Sequence, residues 1–104
     1  MPYKTIIYQK RDRIVFITLN RPEADNAINI QMAQELIDAC QELDQDEEVT
    51  AVIITGAGDK AFSCGRDHDF MAPCGAAKAV GNLRHPVIAA INGVALGLGL
   101  ELAL

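Results

Sequence analysis

The stretch that decides the fold is residues 85–104, HPVIAAINGVALGLGLELAL. It is almost wholly apolar, yet it carries one carboxylate, Glu101. An ionised carboxylate loses hydration in apolar surroundings, so its pKa rises toward the range in which it can both give and take a proton near neutral pH. Glu101 is therefore the first candidate for catalysis. The alternative is that its side chain reaches solvent or an ion-pair partner at the edge of a buried helix.

Three glycines stand just before Glu101, at positions 93, 97 and 99. They let backbone N–H groups come close to a ligand or to a neighbouring element. The nineteen residues from Pro86 are nearly enough to span a bilayer. Pro86, Asn92 and Glu101 argue against a membrane helix, and no cluster of Lys or Arg flanks the run. We expect no membrane partner.

Composition places the chain among globular proteins. Its 104 residues, half of them hydrophobic, fit one domain over residues 1–104. The net charge of −5 and the lack of a basic stripe argue against nucleic acid as a partner. Three cysteines without a CxxC pair indicate reduced thiols, and the N-terminus has no signal-peptide pattern, so we expect a cytoplasmic protein.

Upstream of this run, the hydrophobic pattern predicts alternating strands and helices. Two stretches rich in β-branched and aromatic residues, 3–9 and 13–19, predict a β-hairpin. Apolar residues at helical spacing, with Asn29 as a helix cap, predict an amphipathic helix over 30–44. The β-branched run 49–55 follows that helix, which favours a βαβ crossover to a parallel strand. The fold class is therefore α/β.

The pattern continues toward the C-terminus with shorter elements. Residues 74–83 predict a short helix that Pro86 stops, and residues 87–91 predict a buried strand. Asn92 and Gly93 predict a turn, after which we expect a helix from Val94 onward.

Four segments in order resemble the N-terminal part of the enoyl-CoA hydratase/isomerase, or crotonase, superfamily. They are ITLNRP through NAIN at 17–29, VIITG at 52–56, KAFSCGRD at 60–67 and PVIAAINGVALGLGLELA at 86–103. The resemblance covers nearly the whole chain. It implies the ββα spiral of the ClpP/crotonase fold, here incomplete, as a single truncated domain, and it implies a homo-oligomer.

The same resemblance implies acyl-CoA chemistry. The family stabilises the enolate-like oxygen of an acyl-CoA thioester with two backbone N–H groups, which by position fall at Arg66 and at Leu98. Glu101 matches one of the two glutamates that do acid/base work in the hydratases. The family uses no metal or other cofactor, and coenzyme A enters as part of the substrate.

Further positions are implied along the coenzyme A moiety. Cys64 and His68 would lie beside the extended chain of coenzyme A. Ala24 and Ala61 would lie near its nucleotide end. Cys64 has no neighbouring base in sequence, so we expect a backbone role and no nucleophilic one. His68 and His85 do not by themselves indicate a metal site.

Several positions depart from the family pattern. Leu98 stands where a small residue is usual, Arg66 replaces a residue that is commonly small, and the link from Asp67 to Pro86 is short. No counterpart of the second glutamate follows Glu101.

These departures leave two hypotheses. The chain is an acyl-CoA hydratase or isomerase of fatty acid metabolism, or a piece of one. Alternatively, it is a noncatalytic crotonase-like module that binds coenzyme A or associates with itself.

Overall fold

The computed structural model describes residues 3–59, 61–63, 76–83 and 85–95. The strands are β1 Ile6–Arg11, β2 Ile14–Leu19, β3 Ala51–Gly56, β4 Ala61–Ser63, β5 Val87–Ala90 and β6 Val94–Ala95. The helices are α1 Ile30–Asp44 and α2 Ala76–Gly81, together with a short 3-10 helix, Pro22–Ala24.

Among the described residues, four strands form a sheet in the order β1-β2-β3-β5, and β4 pairs separately with β6. The predicted hairpin is confirmed, because β1 and β2 are antiparallel with Arg11 opposite Ile14. Its turn is tighter than we expected, since Lys10 and Arg11 belong to β1 and only two residues remain between the strands. Asp12 adopts a φ of 56°, a left-handed conformation that Asp tolerates in turns.

The βαβ crossover is also confirmed. Helix α1 has the predicted bounds, and Asn29 caps it by accepting a hydrogen bond from the Met32 amide at 2.8 Å. β3 then returns parallel to β2, with Val15 opposite Val52. The three largest fully buried side chains of α1 face the core formed by the inward residues of these strands. They are Met32, Leu36 and Leu43.

The opposite face of the sheet is covered less completely. Phe16 and Ile53 lie opposite each other and are half-buried, and Ile88, opposite Ile53 on β5, is 56% exposed. The prediction of a buried strand at 87–91 is therefore wrong in its burial, although the strand itself exists. An apolar run shows that a strand has two apolar faces, but it does not show which of them another layer covers.

The helix expected from Val94 is also wrong at its start. Val94 and Ala95 are extended and pair with β4 in parallel. The backbone N–H and C=O groups of a strand need hydrogen-bond partners, and Val94 and Ala95 find them on β4. Residues 96–104 lie outside the described residues.

Candidate active site

The candidate site is the region where the chain leaves the carboxyl end of β3. Ligands in α/β proteins gather at such strand ends. Here a loop containing residues 57–59 follows β3, and β4 begins at Ala61 and lies beside β6. Two asparagines and one glycine determine how this loop is held.

Asn26 is fully buried and joins three segments through its side chain and its carbonyl group. Its Oδ1 accepts a hydrogen bond from the Arg21 amide at 2.8 Å. Its Nδ2 donates to the carbonyl oxygens of Ala57 at 3.1 Å and Ala61 at 2.9 Å. Its own carbonyl accepts from Ser63 Oγ at 2.8 Å. Asn26 therefore connects the segment after β2 to the loop and to β4.

Asn92, in the segment after β5, bonds to the same loop. Its Oδ1 accepts from the Gly56 amide at 3.1 Å, and its Nδ2 donates to the carbonyl oxygens of Gly58 at 2.9 Å and Ala61 at 3.3 Å. Both asparagine side chains thus donate to the Ala61 carbonyl. A carbonyl oxygen has two lone pairs, so one acceptor can serve both donors.

Gly56 provides the space that this arrangement needs. A Cβ built on Gly56 would lie 2.5 Å from the Phe62 carbonyl oxygen, 2.6 Å from that of Ala61 and 2.8 Å from Asn26 Nδ2. These distances are far below van der Waals contact. Only a glycine at position 56 therefore allows the start of β4 and the Asn26 side chain to lie this close to the end of β3.

The pairing of β4 with β6 bears on the two predicted backbone donors. The strands are parallel, with Ser63 opposite Ala95. Arg66 follows Ser63 by three residues, and Leu98 follows Ala95 by three. Both segments therefore start from adjacent positions at the same edge of a two-stranded sheet. Five predicted site residues lie outside the described residues: Cys64, Arg66, His68, Leu98 and Glu101.

The two predicted residues for the nucleotide end of coenzyme A are described, and they lie near one cavity of about 190 Å³. Ala61 lines it directly, and Ala24 is half-buried in the 3-10 helix between two lining residues. The cavity is lined by Pro22, Asp25, Asn26, Ala57, Gly58, Asp59 and Ala61. Their role toward coenzyme A stays a prediction.

The described residues contain no group of three or more His, Cys, Asp and Glu side chains placed to hold a metal ion. His85 has its Nε2 2.9 Å from the Leu43 carbonyl oxygen at the end of α1. No helix in this part of the chain has the length and apolar character needed to cross a membrane.

The hydrogen-bonding roles of Asn26 and Asn92 were not predicted from the sequence. Asn26 stands there only within a segment that resembles the family, and Asn92 is predicted only as a turn residue. One signal existed for Asn92, because it is the sole polar residue between Pro86 and Glu101. A lone amide in an apolar run is more often needed for hydrogen bonding than for solubility.

Comparison with known families gives a match over most of the chain. The model of the family Enoyl-CoA hydratase/isomerase matches residues 9–104. A probable enoyl-CoA hydratase of Mycobacterium tuberculosis is 43% identical over 100% of this chain and 44% of its own length. The chain thus spans less than half of the length of this relative.

Solved structures agree with the sequence relatives. An enoyl-CoA hydratase from Bacillus anthracis superposes with a TM-score of 0.89 at 32% identity, over 96% of this chain and 44% of that one. A monofunctional enoyl-CoA isomerase from M. smegmatis superposes with a TM-score of 0.82 at 37% identity, over 95% of this chain and 46% of that one. Hydratase and isomerase are therefore both represented among its structural neighbours.

Proposed function

This chain belongs to the enoyl-CoA hydratase/isomerase family, and on that premise we propose that it binds an enoyl-CoA thioester and moves a proton on the carbons beside the thioester. Its fold is crotonase-like. In this proposal the backbone N–H groups of Arg66 and Leu98 hold the thioester oxygen, and Glu101 is the acid and base.

The observation that carries the proposal is the parallel pairing of β4 with β6. Adjacent strands lie about 5 Å apart, and three residues extend the chain by at most about 10 Å. The opposition of Ser63 and Ala95 supports our proposal that the amides of Arg66 and Leu98 reach one common oxygen atom. This pairing joins segments more than 30 residues apart in sequence, so the spacing of the motifs alone does not imply it.

Two amide donors favour the reaction because negative charge develops on the thioester oxygen. When a proton leaves the α carbon, its electron pair is delocalised to give an enolate with charge on that oxygen. Donors that are already fixed at this position stabilise the charge without reorganising, and the loss of one typically costs about 3 kcal/mol of barrier lowering.

One carboxyl group can carry both proton transfers of a double-bond shift. Glu101 takes the proton from the α carbon of a 3-enoyl-CoA and returns it to the γ carbon, which leaves the double bond between the α and β carbons. No net proton is gained or lost. Hydration needs in addition a water that is deprotonated as it adds to the β carbon, which is the step that a second carboxylate serves in the hydratases.

The proposed orientation of the coenzyme A moiety follows the cavity. Its nucleotide end lies near Ala24 and Ala61, and its extended chain runs past Cys64 and His68 toward Glu101. The support is that Ala61 both lines the cavity and begins β4, so the cavity and the segment containing Arg66 are adjacent along the chain.

The test measures turnover of crotonyl-CoA and of a 3-enoyl-CoA by the wild-type chain, by Glu101→Gln and by Glu47→Gln. We expect the wild type to convert at least one substrate and Glu101→Gln to lower kcat about 100-fold or more, because a positioned acid/base contributes about 10²–10⁴-fold. Glu47 is exposed beyond the end of α1, so its substitution is the matched control. If the wild type converts neither substrate, the catalytic proposal is wrong.

A second candidate is a module that binds coenzyme A without turnover and associates with itself. The observation that favours it is the open apolar face of the main sheet, where Ile88 is 56% and Ile7 40% exposed. Titration calorimetry with crotonyl-CoA and light scattering distinguish the candidates. Binding and self-association without turnover support the module, and a monomer without affinity for crotonyl-CoA contradicts both.

A further inference from the structure

We infer that Asn26 and Asn92 act as a pair of positioning residues, which fix the loop containing residues 57–59 and the first residue of β4, and thereby help to position the Arg66 amide. This inference rests on the proposed function for its catalytic consequence. The fixing of the loop itself stands on the hydrogen bonds of the two side chains.

The orientation of each amide side chain is determined by a backbone N–H group. Asn26 Oδ1 accepts from the Arg21 amide, which follows β2, and Asn92 Oδ1 accepts from the Gly56 amide at the end of β3. Each Oδ1 is therefore held by the main sheet or by the residues next to it. The corresponding Nδ2 atoms must then face the loop, because turning either amide over would place an Nδ2 donor against a backbone donor.

These donors bind two carbonyl groups of the loop and the first carbonyl group of β4. Asn26 binds the carbonyl of Ala57, Asn92 binds that of Gly58, and both bind that of Ala61. The Ala57 amide also donates to the Leu19 carbonyl at 2.7 Å. The loop is therefore held by a backbone hydrogen bond to the end of β2 and by two asparagine side chains, one after β2 and one after β5.

The strand that follows is fixed at both of its ends. Ala61 carries the shared acceptor, and Ser63 donates its hydroxyl to the Asn26 carbonyl. A Cβ on Gly56 would lie 2.6 Å from the Ala61 carbonyl oxygen and 2.5 Å from that of Phe62, so β4 packs closely against the end of β3. Arg66 is three residues beyond Ser63 in the sequence, so we expect a shift of β4 to move the Arg66 amide as well.

Exact placement matters for a donor in an oxyanion site. Stabilisation depends on donors that are fixed at about 2.7–3.1 Å from the developing charge, and misplacement by about 1 Å can cost about 100-fold in rate. A residue that fixes the loop therefore changes kcat without contacting the substrate.

The experiment compares wild type with Asn92→Asp, Asn26→Asp and Asn29→Ala. Each Asp keeps the Oδ1 acceptor but replaces Nδ2, so a carboxylate oxygen faces the Ala61 carbonyl. Asn29→Ala removes the cap of α1 and lowers stability without touching the loop, which makes it the matched control. The readouts are hydrogen exchange of the amides of residues 57–63, kcat and KM, and the infrared carbonyl stretch of bound, isotope-labelled enoyl-CoA.

We expect each Asp variant to accelerate exchange in residues 57–63 by about 10-fold or more beyond the control, and to lower kcat about 10- to 100-fold while KM changes less than about 3-fold. The carbonyl stretch of the bound thioester shifts back toward its value in water, a change that general destabilisation does not produce. Asn92 is only half-buried, so a charge there is tolerated better than at the buried Asn26. If Asn26→Asp fails to fold, the result with Asn92→Asp tests the inference by itself.

Two outcomes overturn the inference. One is exchange in residues 57–63 that matches the Asn29→Ala control, and the other is faster exchange with unchanged kcat and carbonyl stretch. A wild type without turnover or binding contradicts the proposed function instead, and the exchange measurement alone then supports or overturns the fixing of the loop.

Discussion

Glu35 is a carboxylate that helix α1 buries against the segment leading into β1. It is 9% exposed, and its Oε1 accepts from the Thr5 amide and the Thr5 hydroxyl, both at 2.8 Å. The Lys4 amide and Gln31 Nε2 complete its contacts. Burial raises the pKa of Glu35, but hydrogen bonds from Thr5, Lys4 and Gln31 outweigh it, and the net pKa is below its ordinary value of 4.5. Glu35 therefore stabilises the fold as an anion.

We predict that Glu35→Gln lowers the free energy of unfolding by about 1.5–3 kcal/mol at pH 7, the range for hydrogen bonds to a charged group. Because the folded-state pKa is the lower one, this contribution is present above pH about 4.5 and is lost as the pH falls through the folded-state pKa. Urea denaturation of wild type and variant from pH 7 to pH 3 measures it, with Glu47→Gln as an exposed control. A difference between wild type and Glu35→Gln that does not shrink with acid contradicts the prediction.

Gly56 and Gly81 offer a matched pair of glycines. A Cβ at Gly56 would meet backbone carbonyls at 2.5 and 2.6 Å, whereas a Cβ at Gly81 would meet nothing within 4 Å. We predict that Gly56→Ala destabilises the fold by about 2–3 kcal/mol, because the contacts are with backbone that must shift. Gly81→Ala should change stability by less than about 1 kcal/mol. Thermal unfolding of both variants measures the difference, and equal effects would show that the loop yields freely.

The sequence predicted single residues well only where local geometry decides their role. Asn29 caps α1 as expected, because a cap bonds to an amide three residues away. Asn26 and Asn92 were not predicted, since their shared acceptor, Ala61, is 35 and 31 residues away along the chain. Composition and spacing carry no information about such contacts until the strands are placed.

At helix α1, the N-cap gives a direct test of how the element is stabilised. Asn29→Ala removes the acceptor for the Met32 amide and should cost about 1 kcal/mol, while Asn29→Asp keeps an acceptor and should cost much less. Urea denaturation monitored by circular dichroism measures both. A full loss in Asn29→Asp would indicate that the amide group, and not its oxygen, is what α1 needs.

An element was predicted correctly where its own sequence pattern determines its conformation, and incorrectly where a distant strand determines it. The periodicity of apolar residues gave α1 its correct bounds, because its buried face repeats every three to four residues. β6 was predicted as helix, because the apolar run containing Val94 has no alternation, and the edge of β4 decides its conformation. The burial of β5 was overestimated, because burial depends on a second layer whose position the sequence does not show.

The described part of the molecule is held together by contacts between distant segments. Glu35 joins α1 to residues 4 and 5, Asn26 joins the segment after β2 to β4, and Thr55 Oγ1 donates to the Ala90 carbonyl between β3 and β5. Each contact spans 30 residues or more. Because these contacts join distant segments of the described residues, we expect those segments to unfold in one cooperative transition.

Cys40 provides a probe of that transition, because it is 4% exposed within the core of α1. Burial, with the nearby charge of Asp44, raises the pKa of its thiol to about 11, so Cys40 itself is almost entirely protonated at pH 8 in the folded protein. We predict that Cys40 reacts with N-ethylmaleimide only when the whole core opens. Asn29→Ala, which costs about 1 kcal/mol, should then speed labelling about fivefold, since the open population rises by that factor. Mass spectrometry of the Cys40 peptide measures the rate separately from those of Cys64 and Cys74. A labelling rate that ignores Asn29→Ala would mean that Cys40 is reached by local motion of α1, and the cooperative description of the core would be wrong.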